Sequence, residues 1–172
     1  MLSLVIRQGK IIDLENMRPE DIDILDIANA LGNTCRWSGQ VSRFYSVAEH
    51  SVIVSRLVSP QNALWGLLHD AGEAYLSDLV APIKAKMPGY VALETNVMRA
   101  ICLWAGLPEE MPAEVNDIDL RLRVNEACEL GLRPELWGGQ KGSPLPAHVA
   151  GWMPDYARIA FLGRWKELRK AA

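Results

Sequence analysis

The sequence predicts a mainly α-helical fold with a small β-hairpin at its N-terminus, and three observations predict it. Apolar residues recur at helical spacing in one segment after another from Pro19 onward. Two short β-prone runs flank a Gly-containing turn at the start. The 172 residues, 49% hydrophobic and 23% charged, have the ordinary make-up of one globular domain spanning residues 1–172.

The hairpin is read from Leu2-Ser3-Leu4-Val5-Ile6, the turn Arg7-Gln8-Gly9-Lys10, and Ile11-Ile12-Asp13-Leu14. A hairpin alone is marginal, so it must pack on the rest of the domain. A first helix runs from Pro19 to Leu31, opened by Pro and acids, with apolar Ile22, Leu25, Ile27, Ala28 and Leu31, and it stops at Gly32-Asn33. Residues 33–45 read as a loop. Ser46 is the N-cap of the next helix, with Glu49 three residues on as in a capping box, and Ser59-Pro60 ends it. A helix from about Gln61 to Leu76 carries Leu64, Leu67, Leu68, Ala71 and Tyr75 on its apolar face. Ser77 to Pro88 is a Pro-punctuated connection. Tyr90–Ala105, Ala113–Leu130 and Asp155–Ala171 read as three further helices, and Gly131–Gly151 as a long Gly/Pro-rich loop. No repeat and no interdomain linker interrupts the chain.

Charge and cysteine usage narrow the function. With 18 basic and 21 acidic residues the net charge is −3, a poor match for long nucleic acid, whose phosphates dominate affinity. A small anion remains within reach of a few local cations or a metal. Cys35, Cys102 and Cys128 are odd in number and scattered, so a reducing cytoplasm is expected, a host's if the chain is viral. No apolar run is long enough to span a bilayer, and the first residues lack the features of a signal peptide. No membrane partner is expected.

His50, His69 and His148 are the three histidines. Two stand inside helical segments among apolar residues, and His69 is followed by Asp70 in Leu67-Leu68-His69-Asp70-Ala71-Gly72-Glu73. A carboxylate in such a stretch is expensive to bury unless paired or coordinating a metal. Imidazole with carboxylate suits a transition metal. Glu73, at i+4 from His69 and i+3 from Asp70, shares their helix face and is placed to move protons. A core histidine bonded to a neighbour is the blander account of the same residues.

The order of motifs resembles the HD-domain phosphohydrolases, in which His, His-Asp and a later Asp on separate helices surround a metal. Here those motifs are Glu49-His50-Ser51, His69-Asp70 and Asn116-Asp117-Ile118-Asp119-Leu120. Arg36-Trp37 lies upstream, and His69-Asp70-Ala71-Gly72-Glu73 continues through Asp78 to Pro82-Ile83-Lys84. Within that family the pattern, over roughly residues 20 to 130, is most similar to the small bacterial 5′-deoxynucleotidases and the phage dATP triphosphohydrolases.

The resemblance implies an HD-domain helical bundle with metal ligands His50, His69, Asp70 and Asp119, and with Glu73 as the catalytic residue. Asp117 and Asp119 point about 200° apart on a helix, so one of them faces the metal. Periodicity leaves both open; the family pattern Asp-Leu-Arg followed by Asn/Thr-Glu-Ala selects Asp119, with Asn125-Glu126-Ala127 downstream. Some relatives carry Lys three residues before this Asp, where the present chain has Asn116. Arg36 and Lys84 are then expected at phosphate, Trp37 against the base or sugar and Asp78 at the deoxyribose 3′-hydroxyl. The same residue types also serve as surface charges, a packed indole and a turn cap.

The implied cofactor is a divalent ion (Co, Mn, Zn, Mg or Ni), joined by a second ion if a triphosphate recruits one through its own oxygens. The expected reaction is hydrolysis of the 5′ phosphate ester of a purine deoxynucleotide, first dATP to deoxyadenosine plus triphosphate. Alternatives are a deoxynucleoside monophosphatase, a phosphodiesterase and an inactive nucleotide-binding module. A homo-oligomer is expected, of a size the sequence leaves open.

Overall fold

Ser3–Val5 (β1) and Ile11–Asp13 (β2) pair antiparallel in the register Leu4 opposite Ile12. Alternation along each strand sends Ile12 into the core and leaves Val5 and Ile11 outside. Gly9 supplies the positive φ of +77° that the turn needs. Lys10 Nζ, 2.6 Å from Asp21 Oδ1, and Gln8 Nε2, 2.7 Å from Asp23 Oδ2, fasten the hairpin to the chain that follows. The coordinates belong to a computed structural model that describes residues 2–134 and 145–171.

The expected first helix divides in two. Pro19–Asp21 forms a single 3₁₀ turn, Ile22 is extended, and Asp23 caps a new helix, α1 (Ile24–Asn33), by accepting the Leu25 N–H at 2.8 Å. This later start turns Leu25 outward, 47% exposed, contrary to its expected place on the apolar face. Ser46 caps α2 (Val47–Leu57) as the sequence indicates, its Oγ accepting from Glu49 N. The Glu49 side chain does not return to the cap. It accepts instead from the amides of Ala150, Gly151 and Trp152, at 2.6–3.0 Å, and so ties α2 to the approach of the last helix.

The segment read as one helix from Gln61 to Leu76 is a 3₁₀ turn at Pro60–Asn62, then α3 (Ala63–Leu68) and α4 (Glu73–Leu76). Between α3 and α4 the chain tightens to i→i−3 bonds, Ala71 N to Leu68 O and Glu73 N to Asp70 O. The His69 ring occupies Gly66 O, the carbonyl that a regular α-helix offers to residue 70. The connection after Ser77 contains one further turn of helix, α5 (Ala81–Lys84). The remaining helices are α6 (Pro88–Ala105), α7 (Ala113–Glu129) and α8 (Pro154–Ala171). The central part of the expected Gly131–Gly151 loop, residues 135–144, lies outside the described residues, as do Met1 and Ala172.

The architecture is therefore mainly α with a small N-terminal hairpin. α1 packs on α8 and α2 on α3, and α8 also reaches α2 and α3. Ile27, Leu31, Val52, Leu67, Ile101 and Phe161, all fully buried, fill the centre. A second apolar cluster of Val54, Trp65, Val115 and Leu122 seats α7 beside α2 and α3. Among the described residues no helix is long and apolar enough to cross a membrane.

Candidate metal centre

The packing of α2, the tightened turn after α3, and α7 brings four candidate ligand atoms together. His50 Nε2 stands 3.1 Å from His69 Nε2, 3.1 Å from Asp119 Oδ1 and 3.6 Å from Asp70 Oδ2. His69 Nε2 is 3.2 Å from Asp70 Oδ2 and 4.0 Å from Asp119 Oδ1. Around an ion with bonds of about 2.0–2.2 Å, ligand atoms at right angles stand about 3 Å apart and opposed ones about 4 Å. The cluster has those spacings.

Its donor chemistry fits a cation as well. His69 Nδ1 lies 2.8 Å from Gly66 O, which only accepts, so the hydrogen is on Nδ1 and Nε2 offers its lone pair. His50 Nδ1 lies 2.5 Å from Glu126 Oε1, which directs the other imidazole the same way. With Nδ1 of both rings committed elsewhere, two Nε2 atoms and two carboxylate oxygens face one another, an arrangement that calls for positive charge at its centre. Burial and the Arg36 guanidinium oppose a charge on His50, but Glu126 and Asp119 outweigh them and raise the imidazole to about 9. Burial works against the Asp70 and Asp119 carboxylates too. His69 and Arg36 nonetheless hold Asp70 below the usual carboxylate range, and His50, His69 and Arg123 do the same for Asp119. The buried cluster of His50, His69 and Asp119 can hold a metal ion, with Asp70 at its edge.

Of the two aspartates left open by periodicity, Asp119 faces the histidines. It shares the buried stripe Val115, Leu122 and Glu126 on α7. Asp117 turns to solvent, its side chain 64% exposed and paired with Arg121.

Glu73 opens α4 and lines a cavity of about 410 Å³ together with His69, Asp70 and Asp119. Its Oε2 is buried and has no hydrogen-bond partner. Burial first, then the negative charges of Asp70 and Asp78, push its carboxyl well above the usual range. Lys84 and Asn116 line the same cavity, with Lys84 Nζ 2.5 Å from Glu94 Oε2.

Arg36, expected at phosphate, turns toward the candidate ligands. A bridge between Cys35 and Ser46, with Arg36 N donating to Tyr45 O, pins the loop before α2 and turns the guanidinium inward. It is buried, with Nη1 3.1 Å from Asp70 Oδ2 and Nη2 3.4 Å from Glu126 Oε2. Trp37 and Asp78 come together, the Trp37 amide donating to the Asp78 carboxylate, but neither lines the cavity. Trp37 and Ser38 both hold left-handed backbone, at φ 59° and 51°.

Three contributors escape sequence reasoning. Glu126 receives His50, Tyr45 and Arg36; its position seven residues beyond Asp119 on one helix is the signal that marks it. Arg123 Nη2, 2.5 Å from Asp119 Oδ2, holds the oxygen that faces away from the histidines, four residues along α7. Tyr45 donates to Glu126 Oε1 at 2.7 Å and carries no sequence signal. His148 is exposed and lies 2.8 Å from Glu129, while the three cysteines are free.

No protein-family model matches the chain. It is 38% identical over 170 residues to the Escherichia coli K12 protein YfdR, covering 95% of this chain and 96% of that one. It is 41% identical over 179 aligned residues to the Rhodobacter capsulatus protein RCAP_rcc00048, covering 91% and 90%. Both relatives are described only as uncharacterized proteins. At these identities, over nearly the full length of each partner, the chain belongs to the family of YfdR and RCAP_rcc00048.

Proposed function

We propose that this chain is a metal-dependent phosphohydrolase of the HD-domain type that cleaves the 5′ phosphate ester of a purine deoxynucleotide, with dATP as first substrate and deoxyadenosine plus triphosphate as products. One observation carries the reading: four candidate ligand atoms converge, and three of their residues, His69, Asp70 and Asp119, line one cavity with Glu73, whose buried carboxylate oxygen has no partner. The resemblance to the phage enzymes supplies the choice of dATP.

His50, His69, Asp70 and Asp119 would hold a divalent ion, which would supply Lewis acidity and bring the pKa of a water toward neutrality. Two imidazoles and two carboxylates suit a borderline ion such as Zn, Co, Ni or Mn. Glu73 takes a proton from the attacking water as the new P–O bond forms and returns one to the 5′ oxygen as that bond breaks. Lys84 reaches phosphate by exchanging Glu94 for it, and Arg36 keeps Asp70 aimed at the centre.

A second reading, a 5′-deoxynucleotidase acting on monophosphates, is favoured by the pairing of the cavity cations. Lys84, Arg99 and Arg123 are held by Glu94, Glu109 and Asp119, so each added phosphate must displace a carboxylate or bring its own ion. Product analysis with dATP and dAMP, under a panel of divalent ions, separates the two. Inorganic triphosphate from dATP supports the first reading, and turnover of dAMP alone supports the second. No turnover of either in metal-loaded protein overturns both.

A further inference from the structure

One carboxylate stands behind the ligand set rather than in it. Glu126 is fully buried on α7, and three donors from distant parts of the chain end on it. Its Oε1 accepts from His50 Nδ1 at 2.5 Å and from the Tyr45 hydroxyl at 2.7 Å, and its Oε2 from Arg36 Nη2 at 3.4 Å. Arg36 spans onward, through Nη1, to Asp70 Oδ2 at 3.1 Å. Glu126 thus touches one ligand directly and reaches a second through a single guanidinium.

We propose that Glu126 is a positioning residue of the metal centre: it fixes His50 with the hydrogen on Nδ1 and the Nε2 lone pair turned inward, and it sets Asp70 through Arg36. The inference rests on the metal-binding reading above, not on the reaction. An imidazole presents either nitrogen unless one is committed, and a carboxylate, which only accepts, commits Nδ1 as donor. A planar guanidinium holds two acceptors at a fixed separation, so anchoring one end on Glu126 fixes where Asp70 rests. A neutral side chain of the same shape cannot do both. Glutamine offers one acceptor oxygen, and its amide nitrogen then confronts either Arg36 or the donors of His50 and Tyr45.

The test reads metal binding, not turnover. Competition with a chelator measures the affinity of the full chain for Zn²⁺ and Co²⁺. Glu126→Gln is expected to weaken binding by about 10–100-fold, the usual loss when the partner behind a ligating histidine is removed. Tyr45→Phe leaves the carboxylate on both His50 and Arg36, and is expected to weaken it by less than about threefold. Long-range ¹H–¹⁵N spectra of the unaltered, Zn²⁺-loaded chain should show His50 with a solvent-protected hydrogen on Nδ1 and with Nε2 shifted by the metal.

An affinity of Glu126→Gln within about threefold of the parent's overturns the proposal. So does a spectrum in which His50 binds through Nδ1, a result that stands even where the variant does not fold. A parent chain that binds neither ion would instead bring down the metal-binding reading itself.

Discussion

Gly66 and Ser55 meet where α3 crosses α2: a Cβ on Gly66 would stand 3.1 Å from Ser55 Cα and 3.2 Å from its amide nitrogen. Backbone cannot swing aside as a side chain can, so this crossing sets the separation of the helices that carry His50 and lead into His69. Gly66→Ala gains about 1 kcal/mol of helix propensity but overpacks the crossing by about 1–3 kcal/mol. The expected result is a lower urea midpoint and weaker metal binding. A midpoint at or above the parent's would show that the two helices separate freely.

Asp119 and Asp117 lie two residues apart with opposite surroundings. Asp119→Asn removes a charge 3.1 Å from His50 Nε2 and is expected to lose metal, whereas Asp117→Asn gives up only an exposed pair with Arg121. Elemental analysis of the purified variants decides, and metal lost from Asp117→Asn but retained by Asp119→Asn would move the ligand.

Glu73 and Arg36 part company between kinetics and stability. In the proposed reaction Glu73→Ala would remove the proton carrier, so kcat should fall about 10²–10⁴-fold with KM little changed. Its folding stability should hold or rise, since Glu73 Oε2 is buried without a partner. Arg36→Ala leaves Asp70 and Glu126 without their shared partner and should cost about 3–5 kcal/mol in urea unfolding. A stable Arg36→Ala protein with only a raised KM would return Arg36 to the substrate.

That contrast shows where the sequence was legible. His50, His69, Asp70 and Glu73 stand in short motifs whose residue types point to a candidate metal site. Ser46 announces its own cap. The Arg36 contacts join residues 34 and 90 positions apart, and nothing local in Arg36-Trp37 distinguishes a buried guanidinium from an exposed one. Leu25 was misplaced because Asp23 caps a helix that begins later than Pro19. Asp117 and Asp119 were inseparable because α7 scatters apolar residues around its axis, and only packing against α2 and α3 decides which face is buried.

Asp21 makes the seating of the hairpin sensitive to acid. Burial works to raise its carboxyl, but Lys10 and the Arg18 amide outweigh burial and hold it below the ordinary 3.8. A carboxyl that takes up protons less readily folded than unfolded stabilises fully above about pH 4, and the gain fades as pH falls through the lowered folded value. Urea unfolding from pH 7 to 3 should therefore lose less stability in Asp21→Asn than in the parent. Equal losses would mean that Asp21 titrates alike in both states.

Ser77 follows α4 with φ 68° and ψ 158°, a region open to glycine and costly to other residues by about 1–3 kcal/mol. Its surroundings hold it there: Ser77 N donates to Glu73 O at 2.9 Å, and the Tyr90 hydroxyl donates to Ser77 O at 2.7 Å. The turn carries the chain off α4 so that Asp78 meets the Trp37 amide. Ser77→Gly removes the Cβ responsible for the strain, against about 0.5–1 kcal/mol of added freedom in the unfolded chain. The balance predicts a gain of about 1 kcal/mol, seen as a higher urea midpoint, while Ser77→Ala keeps the strain and should leave the midpoint near the parent's. If Ser77→Gly instead lowered the midpoint, the left-handed turn would carry no strain to release, and the serine would be held there by contacts worth more than the conformation costs.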